Sequence, residues 1–111
     1  MQTFHVSLQQ AIQQLQKQKG DPFSILIQHG SMRVEYFAPR GEDKQTPHKQ
    51  DELYIINSGN ASFNRNGQKV HCNQGDVLFV PAGLPHHFFN ISNDFGTWVI
   101  FYGDEKTESI H

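Results

Sequence analysis

The chain has a single cysteine, no cluster of basic residues, and no apolar stretch near the ~18 residues that a membrane span requires. Cys72 alone cannot form an intramolecular disulfide, so a disulfide framework is excluded and a reducing compartment is expected. Nine Lys and Arg stand against eleven Asp and Glu, for a net charge of −2 and a pI near 6.3. Such a balance gives no electrostatic footprint for nucleic acid or an anionic membrane. The start, MQTFHVSLQQAIQQL, lacks both a basic region and a continuous apolar core, so no signal peptide is expected. Nothing repeats internally. The expectation is a soluble, cytoplasmic protein, and 111 residues allow one domain with one modest core.

Phenylalanine and histidine are plentiful. Nine Phe in so short a chain predict an aromatic core or pocket rather than disorder. Of the seven His, His5 and His111 lie near the termini, leaving His29, His48, His71, His86 and His87 to weigh. Ser7 to Lys19 reads as one amphipathic helix. Ser7 and Gln10 form a capping-box pattern, Leu8, Ala11, Ile12 and Leu15 form an apolar stripe, and Gly20-Asp21-Pro22 stops it. From Phe23 onward the signals are β. Expected strands cover Phe23–Gln28, Met32–Phe37, Leu53–Asn57, Ala61–Asn64, Lys69–Cys72, Val77–Val80, His86–Ile91 and Thr97–Tyr102. Asn66-Gly67 is the strongest hairpin signal, and Pro39 to Pro47 reads as a loop. About eight short strands with turns every ~8–12 residues predict an antiparallel sandwich or small barrel. A barrel of this size holds one ligand cavity. The expected division is a helix beside the barrel over 1–22, the barrel over 23–103, and a polar, frayed tail over 104–111.

One stretch is more specific. In GDVLFVPAGLPHHFFN, Gly75-Asp76 is a turn, Val77 to Val80 a strand, and Pro81-Ala82-Gly83-Leu84-Pro85 a rigid reversal that leads into His86. Gly75, Pro81, Gly83, His86 and Asn90 fall in register with the second motif of the cupin superfamily, G-x5-P-x-G-x2-H-x3-N, which the stretch resembles. Upstream, GEDKQTPHKQDELYIINSG resembles the first cupin motif, G-x5–6-H-x-H-x3–4-E-x6-G, through Gly41, His48, Glu52 and Gly59. The two motifs cover about half the chain. The resemblance implies a mainly β, antiparallel jelly-roll barrel (a double-stranded β-helix) with a short N-terminal helix. It also implies a divalent metal, Fe, Mn, Ni, Zn or Co, held by His48, Glu52 and His86.

In this alignment of the first motif, Gln50 takes the place of the second histidine. His48 and Glu52 on a regular strand would lie about 13 Å apart, at about 3.3 Å per residue. Shared ligation therefore requires a bulge or tight turn at residues 49–51, or a different assignment such as Gln50 with Glu52. A two-histidine, one-carboxylate set with open positions suits non-haem Fe(II) and accepts the other ions. By strand alternation Tyr54 and Ile56 face inward if Glu52 does, and Phe88 and Asn90 if His86 does. Gln50, Tyr54 and Phe88 are accordingly expected in a substrate pocket. His87 should face away from His86, and His71 and Cys72 are expected to be structural.

Three functions remain open at this point. The first is a metal-dependent oxygenase or lyase/isomerase acting on a small organic molecule, with Tyr54 as proton donor. The second is a non-catalytic module that binds a small molecule or metal, and the third is a metal-free structural barrel. A homodimer is expected by analogy with small cupins. One scaffold hosts many chemistries, so the choice among these rests on the site.

Overall fold

The computed structural model describes residues 3–18 and 20–106. Its elements run α1 (Leu8–Lys17), β1 (Phe23–His29), β2 (Met32–Phe37), β3 (Asp51–Ser58), β4 (Asn60–Arg65), β5 (Gln68–Asn73), β6 (Val77–Val80), β7 (His86–Phe89) and β8 (Gly96–Tyr102). The helix begins where its capping box requires. Ser7 Oγ accepts the Gln10 N–H at 3.1 Å, and Gln10 Oε1 accepts the Ser7 N–H at 2.9 Å. It ends at Lys17, two residues short of the expected Lys19, because Gln18 is extended. Lys19 and the tail beyond Lys106 lie outside the described residues. The start of the expected frayed tail is tied down instead, since Lys106 N–H donates to Lys49 O at 2.7 Å.

All eight expected strands form, and every pairing is antiparallel. They make a five-stranded sheet ordered β1-β2-β8-β3-β6 and a three-stranded sheet ordered β5-β4-β7. The two sheets are not closed into one continuous hydrogen-bonded barrel. They share one core, which joins Phe37, Tyr54, Ile56, Val99 and Phe101 of the first to Ala61, Phe63, Cys72 and Phe88 of the second. Asn66 and Gly67 both take positive φ, 50° and 94°, as a two-residue hairpin between right-twisted strands requires. The last turn of β7 departs from expectation. Asn90 has φ 50°, so the strand stops at Phe89 rather than Ile91, and Asn90 is exposed instead of facing a pocket. Asn tolerates this left-handed conformation better than most residues.

Register places the inward side chains of the larger sheet in rows. One row joins Arg33, Phe101, Glu52 and Val80, and the next joins Ile25, Glu35, Val99, Tyr54 and Leu78. On the opposite face α1 packs against β1 and β2, while Leu53, Ile55, Val77, Phe79, Trp98 and Ile100 form an apolar surface on β3, β6 and β8. Val77 and Phe79 remain 60% and 43% exposed there. Gly59 joins β3 to β4 with φ 69°, and a Cβ on it would overlap Ser92 Oγ and lie 2.8 Å from Phe95 Cα. Only glycine fits this position.

Candidate metal centre

Glu52 sits near the start of β3 with its side chain turned into the core, and His86 opens β7 on the opposite sheet. Both are buried. His48 lies before β3, and the chain bends at Lys49 and Gln50 before the strand begins at Asp51. The bend that shared ligation required is therefore present. It is held by the Pro81–Pro85 corner, where Gly83 N–H donates to His48 O at 2.7 Å and Ala82 N–H donates to Asp51 Oδ1 at 2.8 Å. The reversal that presents His86 thus also fixes the segment that presents His48 and Glu52. One donor atom from each of His48, Glu52 and His86 lies within 4.8 Å of the other two. Donors at about 2.1 Å from one ion stand about 3.0–4.2 Å apart, so side-chain movements of about half an ångström to an ångström or more would complete such a sphere.

The proton inventory of this cluster is unusual. His86 Nδ1 lies 2.8 Å from the Leu84 carbonyl, which can only accept, so Nδ1 carries the hydrogen. In the neutral ring Nε2 then presents a lone pair to Glu52 Oε1 at 2.7 Å. Two acceptors face each other, and His86 Nε2 and both Glu52 oxygens are left without a hydrogen-bond partner. A buried carboxylate with no donor costs several kcal/mol unless a positive charge meets it. Either a proton on His86 or a cation can supply that charge. Burial pushes the His86 pKa down, but hydrogen bonding and charge from Glu52 outweigh it and leave the pKa raised. Burial instead dominates at His48 and lowers its pKa despite the charge of Glu52. The donor set of two imidazoles and one carboxylate, with the Nδ1–H of one imidazole anchored on a carbonyl, fits a divalent ion.

The other expected pocket residues are distributed differently. Tyr54 lines a cavity of about 540 Å³ together with His48, Glu52, Arg33, Glu35 and Phe101. Its hydroxyl donates to Gln45 Oε1 at 3.1 Å. Burial and the charge of Glu52 hold that phenol's pKa well above the ordinary value of 10, so it keeps its proton. Phe88 faces inward as expected, but it packs into the aromatic core against Tyr54, Phe63 and Phe95, and does not line this cavity. It borders a second cavity, beyond residues 41–45.

The placement of Gln50 requires a correction. Its Nε2 donates to Ser31 O at 2.6 Å and Gly103 O at 2.9 Å, so the side chain ties the entry to β3 to the β1–β2 turn and to the residue that follows β8, and is turned away from the pocket and the candidate ligands. The three-residue gap between His48 and Glu52 is the gap the motif places between its second histidine and glutamate. The missing histidine is therefore at position 46, which is Thr46. The neighbouring residue Gln45 reaches His48 Nε2, at 3.2 Å, and was not singled out from the sequence. Counting back from Glu52 rather than forward from His48 would have drawn attention to this segment. His87 is exposed, as strand alternation required. Cys72 is buried with Sγ donating to Ala61 O at 3.3 Å, and burial raises its pKa, which fits an inert structural thiol.

Comparison with known proteins agrees with this architecture. A family model described as a cupin domain matches residues 33–102. An uncharacterized protein of Streptomyces coelicolor is 41% identical over 64 residues, covering 58% of this chain and 61% of that protein, so the match spans about six-tenths of the relative's length. Among solved structures, a protein from Neisseria meningitidis is similar with a TM-score of 0.72 at 16% identity, covering 90% of this chain and 100% of that one. A cupin superfamily protein from Desulfitobacterium hafniense has a TM-score of 0.63 at 25% identity, with 74% and 76% of the two chains covered. A Cupin 2 conserved barrel domain protein from Salinispora arenicola has a TM-score of 0.62 at 19% identity, covering 73% and 74%. With both motifs in place on a two-sheet antiparallel fold, and the family match running over most of the strands, the chain belongs to the cupin domain family.

Proposed function

We propose that this chain is a small metal-binding cupin in which His48, Glu52 and His86 hold a divalent ion beside a pocket for a small organic ligand. The observation that carries this reading is the pair of facing acceptors, Glu52 Oε1 and His86 Nε2, buried and unpaired in the neutral state. An ion bound there would supply Lewis acidity to polarise a carbonyl or enol, or a centre at which oxygen is activated. The chain's own residues do the rest. Phe37, Val99 and Phe101 give the pocket apolar walls, and the Arg33–Glu35 pair, 2.7 Å apart, gives it a polar patch on the same inner face. Arg33 also lies 4.5 Å over the Phe101 ring, which limits where its guanidinium can point. Tyr54, which keeps its proton and points its hydroxyl at Gln45 Oε1, would turn that proton to a ligand oxygen.

Oxygen uptake by the Fe(II)-loaded protein with a panel of enolic and phenolic compounds tests the catalytic form of this reading. Uptake lost in Tyr54→Phe supports an oxygenase. Ligand binding to the loaded protein without turnover of any compound, including isomerisation, supports a non-catalytic binding module.

We also assign a second copy of the chain to the outer face of the five-stranded sheet. Leu53, Ile55, Val77, Phe79, Trp98 and Ile100 carry no charge, and a two-fold axis would bury this face against itself. Sedimentation equilibrium should find a dimer that Val77→Lys with Phe79→Lys dissociates. A monomeric wild type would remove the assignment.

A further inference from the structure

Residues 41–47 pass between the two cavities, and Gln45 is the residue of this strap whose side chain contacts the ligand cluster. Its amide has one available orientation. Nε2 donates to Asp43 Oδ2 at 2.6 Å, and the Gln45 backbone N–H donates to Asp43 Oδ1 at 3.1 Å. Asp43 Oδ2 in turn accepts the Phe88 N–H at 2.8 Å. Phe88 stands two residues beyond His86 on the same strand, so Asp43 hooks the strap to the element that carries one ligand. With its nitrogen committed to Asp43, the amide turns its oxygen inward. There Oε1 lies 3.2 Å from His48 Nε2 and 3.1 Å from the Tyr54 hydroxyl.

Both distances are long for hydrogen bonds, which cluster near about 2.9–3.0 Å for N–H to O and about 2.7–2.8 Å for O–H to O. A separation of 3.2 Å is also the spacing of two neighbouring donors around one ion, about 3.0–3.4 Å when each lies about 2.1 Å from it. Glu52 Oε1 and His86 Nε2 face each other from the two sheets at 2.7 Å, and would part by a few tenths of an ångström to share the same ion.

Resting on the metal-binding reading above, we propose that Gln45 is the fourth protein donor to the ion, through its amide oxygen. His48 joins the same sphere through Nε2. Gln45 thereby replaces the histidine absent at position 46 with a neutral, hard oxygen. Three neutral donors and one carboxylate leave a divalent ion with about one net positive charge, so its open positions favour an anionic oxygen such as a carboxylate or enolate. Arg33 lines the same pocket with its charge already met by Glu35 at 2.7 Å, so the preference rests on the ion itself.

Mn(II) titration of the chelator-stripped protein, read by water-proton relaxation, tests this through both affinity and the number of waters on the ion. Wild type should hold Mn(II) with roughly two coordinated waters, as an octahedral ion with four protein donors does. Gln45→Leu should bind roughly tenfold more weakly or worse and gain one water. Gln45→Glu, which keeps an oxygen at the same reach and adds charge, should keep the wild-type water count and bind at least as tightly. If Gln45→Leu matches wild type in affinity and water count, Gln45 is not a ligand. A weaker affinity with an unchanged water count also overturns the proposal, since Gln45 would then act only by positioning His48. Failure of wild type to bind Mn(II), or His86→Ala binding it equally well, would remove the metal site itself and this inference with it.

Discussion

At position 52 a carboxylate lies 1% exposed with neither oxygen hydrogen-bonded, the most costly arrangement among the described residues unless a positive charge faces it. Glu52→Gln keeps the shape, removes the charge, and offers an N–H to the His86 Nε2 lone pair. In metal-free protein this change should leave the thermal midpoint within a few degrees of wild type, while metal affinity falls roughly a hundredfold or more, as titration calorimetry would record. A midpoint loss of ten degrees or so would mean that Glu52 is a structural ion-pair partner and not a ligand. Glu35 offers a pH test away from the ligands. Burial raises its pKa from the ordinary 4.5, against the opposing charge and hydrogen bond of Arg33. A carboxyl whose folded pKa is raised binds its proton more tightly in the folded state. Its contribution is therefore fully present below the unfolded pKa and is lost as pH rises through the folded one. Glu35→Gln should accordingly gain stability relative to wild type between about pH 4 and pH 7 in urea unfolding at each pH. A difference that stays flat, or that shrinks toward pH 7, would show that the Arg33 contact outweighs burial.

The corner Pro81–Pro85 and the Gly59 turn are the elements that set the site. Gly59→Ala combines a left-handed φ of 69° with overlap against Ser92, Asp94 and Phe95. It should cost at least about 1–3 kcal/mol in denaturant unfolding. Gly67→Ala, with φ 94° but open space around it, should cost less. Equal losses would mean that the β3–β4 turn relaxes freely. At this scale the sequence was most legible where a local rule acts alone. The capping box at Ser7, the Asn66-Gly67 hairpin, and the alternation that buries Glu52, Tyr54 and Ile56 each follow from neighbours within a few positions. The site was less legible because its geometry comes from contacts far apart in sequence. The bend at residues 49–50 is held by Gly83 and Ala82, over thirty positions away, and no local signal announces it. Gln50 was misplaced for the same reason: its partners, Ser31 and Gly103, lie on segments distant in sequence. Asn90 ended β7 early because a left-handed residue breaks an alternation that apolar pattern alone would continue.

For the whole molecule, the candidate ligands come from two sheets that are not hydrogen-bonded into one closed barrel. Glu52 belongs to the five-stranded sheet, His86 to the three-stranded sheet, and His48 to the segment leading into the first. A bound ion would therefore clamp the sandwich as a unit. It should stabilise the folded state by RT ln(1 + [L]/Kd), about 2.7 kcal/mol at a hundredfold excess over Kd, and so raise the thermal midpoint of the whole transition. Scanning calorimetry with and without chelator reads this directly, and a midpoint indifferent to both metal and chelator would show that no such clamp exists. The most direct measurement is elemental analysis of the protein purified without added metal, beside His86→Ala prepared identically. The account predicts close to one divalent ion per chain in wild type and almost none in the variant. Substoichiometric metal in wild type, unchanged by the substitution, would contradict it.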